Sequence, residues 1–116
     1  PWEKKMIAAI EKAILDANIG LTPSNNGESI RCTVPPLTED RRKELIKKAK
    51  AAGENAKVSV RNARRDAIEH LKKANKEGMP EDLQKEYEQL VQKETDAFSK
   101  KVEELVAAKE KDMMTV

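Results

Sequence analysis

Large aromatic side chains are almost missing: one Trp, one Tyr and one Phe occur in 116 residues. A wide globular core is thereby excluded, because aromatics supply much of the area that such cores bury. Cysteine is nearly absent too. Cys32 stands alone, so neither an intramolecular disulfide nor a thiolate cluster can form, and a reducing cytosol is the simplest setting. His70 has no second histidine, and no cysteine at ligand spacing, and reads as a surface side chain rather than a metal ligand. No stretch approaches the roughly 20 apolar residues of a membrane span. The opening Pro1-Trp2-Glu3-Lys4-Lys5 lacks the apolar core of a secretory signal. A soluble cytoplasmic protein with no membrane partner is expected. There is no Gly-rich phosphate loop, no nucleophile elbow and no carboxylate pair in a recognisable cleft. No residue is a candidate for catalysis, for a metal or for a cofactor, and a non-enzymatic role is expected. Trp2 reads as a packing residue and Met113-Met114 as a helix end.

What is present in quantity is charge, 38% of the chain, set among Ala, Leu and Val at helical spacing. That composition suits long solvated helices sharing a narrow apolar seam. Met6, Ile7, Ile10, Ala13, Ile14 and Ala17 predict a short amphipathic helix over 3–18, with Gly20 as its stop. The turn formers Thr22-Pro23-Ser24-Asn25-Asn26-Gly27-Glu28-Ser29 precede alternating Ile30, Cys32 and Val34, which predicts a β-hairpin turning near Asn26-Gly27. Pro35-Pro36 offers no backbone donors and separates this part from the rest of the chain, as a linker or hinge.

Thr38 is placed to cap a second helix, with Glu39 and Asp40 in its first turn. From there to about Glu77 no proline intervenes, and Leu45, Ala49, Ala52, Ala56, Val60, Ala63, Ala67, Leu71 and Ala74 recur at intervals of three and four. A helix of that length reaches roughly 60 Å. Gly53 weakens it locally without ending it. Gly78-Met79-Pro80 makes a turn, and Pro80 suits the first position of a last helix running to about Met113. Leu83, Tyr87, Leu90, Val91, Ala97, Phe98, Val102, Leu105 and Val106 form its apolar side. The short connection predicts antiparallel neighbours. The expected fold is mainly α: two long antiparallel helices of an incomplete three-helix bundle over 37–116, plus a small partial α/β domain and hinge over 1–36. Two helices leave part of each stripe wet, so a third helix or a second copy of the chain is expected to cover it. The proline at position 1 points to a processed or partial chain.

The net charge of +2 conceals a lopsided distribution. Residues 1–37 carry 4 basic and 4 acidic side chains, residues 38–79 carry 13 and 7, and residues 80–116 carry 6 and 10, giving 0, +6 and −4. At about 100° per residue, Lys43, Lys47, Lys50, Lys57, Arg61, Arg64, Arg65 and Lys72 fall in one strip beside the apolar positions, with Glu54 as its single acid. Repeated cations can follow a nucleic-acid backbone, and arginine forks grip phosphate oxygens bidentately. The competing reading is a solvated flank, or pairing with the acidic last helix. Arg61, Arg64 and Arg65 lie within two turns and repel one another by a few tenths of a kcal/mol per pair, a cost that points to an anionic partner.

The stretch PPLTEDRRKELIKKAK from Pro35 and VRNARRDA at 60–67 closely resemble the ribosome recycling factor family. LVQKETDAFSKKVEELVAAKEKDMM resembles that family's last helix, and NIGLTPSNNGESIRCTVPPLT the return from its small β-rich domain. The resemblance covers nearly the whole chain, and its arginine motif is the most specific part. It implies a three-helix bundle joined through hinge strands to a small α/β domain, and action with elongation factor G to split post-termination ribosomes. It also implies contact with large-subunit ribosomal RNA by Arg61, Arg64 and Arg65, with Asn62 and Asp66 inside the motif and Lys50, Lys57 and Lys72 along the same strip. Pro35, Pro36 and Leu37 match the hinge. The family's first bundle helix and the first part of its β domain have no counterpart in this sequence. Self-association of the exposed seam is therefore expected. The alternative function is a helical protein–protein interaction module that oligomerises through that seam.

Overall fold

The computed structural model describes residues 1–115, which divide into two compact units at Thr38/Glu39. In the first unit a single 3-10 turn, Lys4–Met6, leads into helix α1 (Ile7–Ala17). The helix stops earlier than the sequence predicts. Asn18 enters the left-handed region (φ 48°), where its short polar side chain is tolerated, so Gly20 lies beyond the cap. Strand β1 (Thr22–Asn25) pairs antiparallel with β2 (Ile30–Thr33), in the register Thr22 to Thr33 and Asn25 to Ile30.

The hairpin turn falls at 26–29, as expected. Asn26 Oδ1 accepts from the amides of Glu28 (3.0 Å) and Ser29 (2.8 Å), and Gly27 supplies the positive φ of 84°. α1 packs on β1, and Ile7 and Pro23 are the buried side chains of the unit. The alternation Ile30, Cys32, Val34 does not mark a buried face. Ile30 is half-buried while Cys32 and Val34 are exposed, because one short helix cannot cover the sheet along its length.

The second unit is a helical hairpin of α2 (Glu39–Lys76) and α3 (Glu81–Met114). α2 has 38 residues, about 57 Å at 1.5 Å per residue. It ends in a Schellman motif: Met79 N donates to Ala74 O (2.9 Å) and Gly78 N to Asn75 O (3.2 Å), with Gly78 at φ 115°. Asn75 Nδ2 adds a bond to Met79 O at 3.0 Å, bracing the turn. Pro80 is the residue before α3 rather than its first turn, extended at ψ 142°, and Glu81 and Asp82 occupy the first turn.

Contacts between the helices descend along α3 as they ascend along α2, which fixes the antiparallel arrangement. Arg42 Nη1 donates to Met113 O (2.7 Å), Lys50 meets Glu110, Gly53 meets Val106, Lys57 meets Glu103 and Arg64 meets Gln92. Among the described residues Gly53 is the one buried position of α2, and α3 has none. A Cβ placed on Gly53 would lie 2.5 Å from Val106 Cγ2, so a larger residue there would force the two helices to shift. The glycine that weakens the isolated helix therefore sets the packing of the pair.

The apolar arc of α2 is wider than the stripe read from sequence. Ile46 at the edge of the arc is half-buried, as is Ile68 at the angle of the basic strip, while Ala52 and Ala63 remain exposed, since α3 covers only one side of the arc. On the uncovered side a continuous groove runs between the helices, flanked by Ala49, Ala56, Ala67 and Ala74 of α2 and by Val102, Leu90 and Tyr87 of α3. Leu105 (70%), Leu90 and Phe98 (both 50%) are exposed along it.

Gly53→Ala should lower the unfolding free energy by about 1 kcal/mol, because overpacking costs about 1–3 kcal/mol and helix propensity returns about 1. In a Val106→Ala background the substitution should become stabilising. Urea denaturation of the four variants checks this, and a stabilising Gly53→Ala in both backgrounds would refute the close approach. Arg42→Ala removes a charged donor from the C-terminal carbonyls of α3 and should destabilise that end by about 1 kcal/mol. Faster amide hydrogen exchange over 111–115, with the α3 centre unchanged, is the expected signature.

Candidate nucleic-acid interface

The basic strip exists as a physical surface because α2 runs unbroken from Glu39 to Lys76. Residues three and four apart stack on one face of a helix, so Lys50, Lys57, Arg61, Arg65 and Lys72 share a flank. That flank lies across the Gly53–Val106 contact from the apolar groove. On its side the helices are bordered by Lys50, Glu54, Lys57, Glu103 and Glu110, and on the other by Ala49, Ala52, Ala56 and Leu105.

The strip is not uniform. Lys57 Nζ lies 3.0 Å from Glu103 and 3.6 Å from Glu54, and its side chain is only 25% exposed. The Glu103 carboxylate, accepting a hydrogen bond from it, holds the ammonium pKa above its ordinary 10.5, against a smaller opposing effect of burial. Lys50 Nζ lies 3.7 Å from Glu110, and Lys43 lies 3.9 Å from Glu39 one turn away. These lysines are partly compensated.

The arginines differ. Arg64 is half-buried, its stem along the groove, and its guanidinium makes one long bond of 3.5 Å to the neutral amide oxygen of Gln92. Arg61, Arg65 and Lys72 are exposed and make no ion pair or hydrogen bond among the described residues. Asp96 of α3 accepts from Gln92 Nε2 at 2.9 Å, and Glu94 lines the groove with Arg64 without an ion pair among the described residues. Asn62 and Asp66 are exposed beside the arginines. The arrangement can receive anions on three uncompensated cations spread over three turns of one rigid helix.

The partners on α3 escape a reading of α2 alone. Their signal is a seven-residue spacing, Asp96, Glu103 and Glu110, which keeps one face of α3 against the same flank of α2. Pro35, Pro36 and Leu37 lie in the exposed connection outside regular structure. His70 is exposed, and the described residues hold no group of three or more His, Cys, Asp or Glu that could bind a metal ion. No described helix is long and apolar enough to cross a membrane.

Comparison with known proteins bears on the family and the fold. The family model described as ribosome recycling factor matches residues 1–114. The ribosome-recycling factor of Parabacteroides distasonis is 62% identical over 117 residues, covering all of this chain and 63% of the relative. That of Phocaeicola vulgatus is 61% identical over 116 residues, again covering the whole chain and 62% of the relative. A solution structure of the ribosome recycling factor superposes with a TM-score of 0.66 at 42% identity, over 99% of this chain and 61% of that one. The chain thus spans somewhat under two thirds of the length of these relatives. With a matching family model along nearly its entire length and the helical hairpin and small sheet of the solved structure, it belongs to the ribosome recycling factor family.

Proposed function

We propose that this chain is the part of a ribosome recycling factor that docks on large-subunit ribosomal RNA through the basic flank of α2. The carrying observation is that Arg61, Arg65 and Lys72 stand exposed and unpaired among the described residues, with Arg64 held only by a neutral amide. Their positive charge is left for an external anion, and planar guanidiniums match phosphate oxygens. Lys50 and Lys57, nearer the N-terminus of α2, are paired with Glu110 and Glu103 and are not needed for this docking. Contacts of this kind position a protein on a nucleic acid by shape and charge, without reading bases.

In the intact protein, working in the cytoplasm, the docked helices would act with elongation factor G to split post-termination ribosomes. The chemistry would reside in the partner's GTP hydrolysis, and this chain would supply a stiff lever with Pro35, Pro36 and Leu37 as the hinge. Family membership supports that role. Arg61→Ala/Arg65→Ala should weaken binding to large ribosomal subunits and flatten the plot of log K against log salt by about 2, near 0.9 per lost phosphate contact. Helix content should be unchanged in circular dichroism. Unaltered affinity would remove these arginines from the interface.

A second reading is favoured by one observation, the open groove with Leu90, Phe98 and Leu105 exposed along it. A second copy of the chain laying its own groove against this one would close a four-helix bundle. Sedimentation should then show a concentration-dependent dimer. A stable monomer at high concentration would count against it.

A further inference from the structure

The cations of the α2 flank share a face yet differ in what faces them from α3, and the difference follows position along the helix. Around Gly53, Lys50 and Lys57 stand among Glu54, Glu103 and Glu110. One heptad further along, Asp96 is engaged by the Gln92 amide at 2.9 Å, and the same residue's oxygen meets Arg64. That glutamine bridges the acid and Arg64, and Arg61, Arg65 and Lys72 make no ion pair or hydrogen bond among the described residues.

We propose that Glu103 and Glu110 mask Lys50 and Lys57 from nucleic acid. Phosphate contact is thereby weaker at Lys50 and Lys57 than over the Arg61–Lys72 half of the strip, about 16 Å long at 1.5 Å per residue. This rests on the RNA-docking reading above and narrows its footprint. A phosphate reaching Lys57 has to displace a carboxylate already seated 3.0 Å away and anchored on the opposite helix. Exchanging one anion for another gives little net counterion release, because the displaced carboxylate then needs a cation of its own. The raised pKa of Lys57 reflects the same occupation. Glu103 and Glu110 are in this sense positioning residues: they touch no RNA and decide where it binds.

The test uses the 116-residue chain and purified large-subunit ribosomal RNA, with dissociation constants measured over a series of potassium chloride concentrations. Glu103→Gln/Glu110→Gln should bind more tightly and steepen the salt slope by about 1 to 2, near 0.9 for each lysine released. Glu86→Gln/Glu104→Gln makes the same change in net charge elsewhere on α3 and should steepen it less. Lys50→Ala/Lys57→Ala should leave affinity within about twofold while lowering the melting temperature. An unchanged slope in Glu103→Gln/Glu110→Gln, or a slope no steeper than that of the charge-matched control, would overturn the masking. So would a loss in Lys50→Ala/Lys57→Ala equal to that of Arg61→Ala/Arg65→Ala, a comparison that stands even if the glutamine variant fails to fold. If Arg61→Ala/Arg65→Ala itself binds RNA normally, the docking reading fails and the masking fails with it.

Discussion

The contact between Gly53 and Val106 governs the geometry of the long helices. Where α2 carries no side chain, the valine of α3 enters the space that a Cβ would fill. That approach sets the axial register. Lys50 then falls opposite Glu110 and Lys57 opposite Glu103, on one side of the glycine. A sideways shift of one residue would rotate those side chains about 100° and abolish the pairs. The helices bury few side chains against each other, so steric fit and paired charges carry more of the specificity than a hydrophobic core does.

The same register decides what the arginines meet. Ascending α2 past Gly53, the α3 residues beside Arg64 are Gln92, Glu94 and Thr95; no ion pair joins Glu94 to the arginine among the described residues, and Thr95 spends its hydroxyl on Val91 O at 2.7 Å within its own helix. Arg64 receives one weak acceptor, and Arg61 and Arg65 receive none among the described residues. The split between a compensated and an uncompensated half therefore follows from where α3 places its acids, since α2 carries cations in both.

Much of this architecture is legible in the sequence. Gly78-Met79-Pro80 announces the turn because Gly supplies a left-handed C-cap and Pro cannot continue a helix, and Asn26-Gly27 announces the hairpin for similar local reasons. Those signals depend on neighbours in the chain. The features that stay hidden depend on neighbours in space. The alanine stripe of α2 locates the apolar arc but not the part of it that α3 covers, so it omits Ile46 and Ile68 and includes Ala52 and Ala63. Asn18 ends α1 before Gly20 because a polar residue can adopt the same left-handed geometry, an ambiguity that composition does not resolve. The lysine partners require the interhelical register, which Gly53 fixes and which reads from sequence only as a weak point in a helix.

The two sides of the hairpin differ in character. The apolar groove flanked by Ala49, Ala67 and Leu90 meets the basic flank at Arg64, whose stem lines it, while near Gly53 the contact with Val106 lies between the two. Filling the groove would stiffen α2 and leave Arg61, Arg65 and Lys72 where they stand. Stiffness matters for a surface that binds by charge and shape. On a flexible segment, three like charges would spread apart to relieve their repulsion, and gathering them again would oppose binding. Held at helical spacing over about 16 Å, they keep that repulsion in the free protein, and an arriving run of phosphates relieves it.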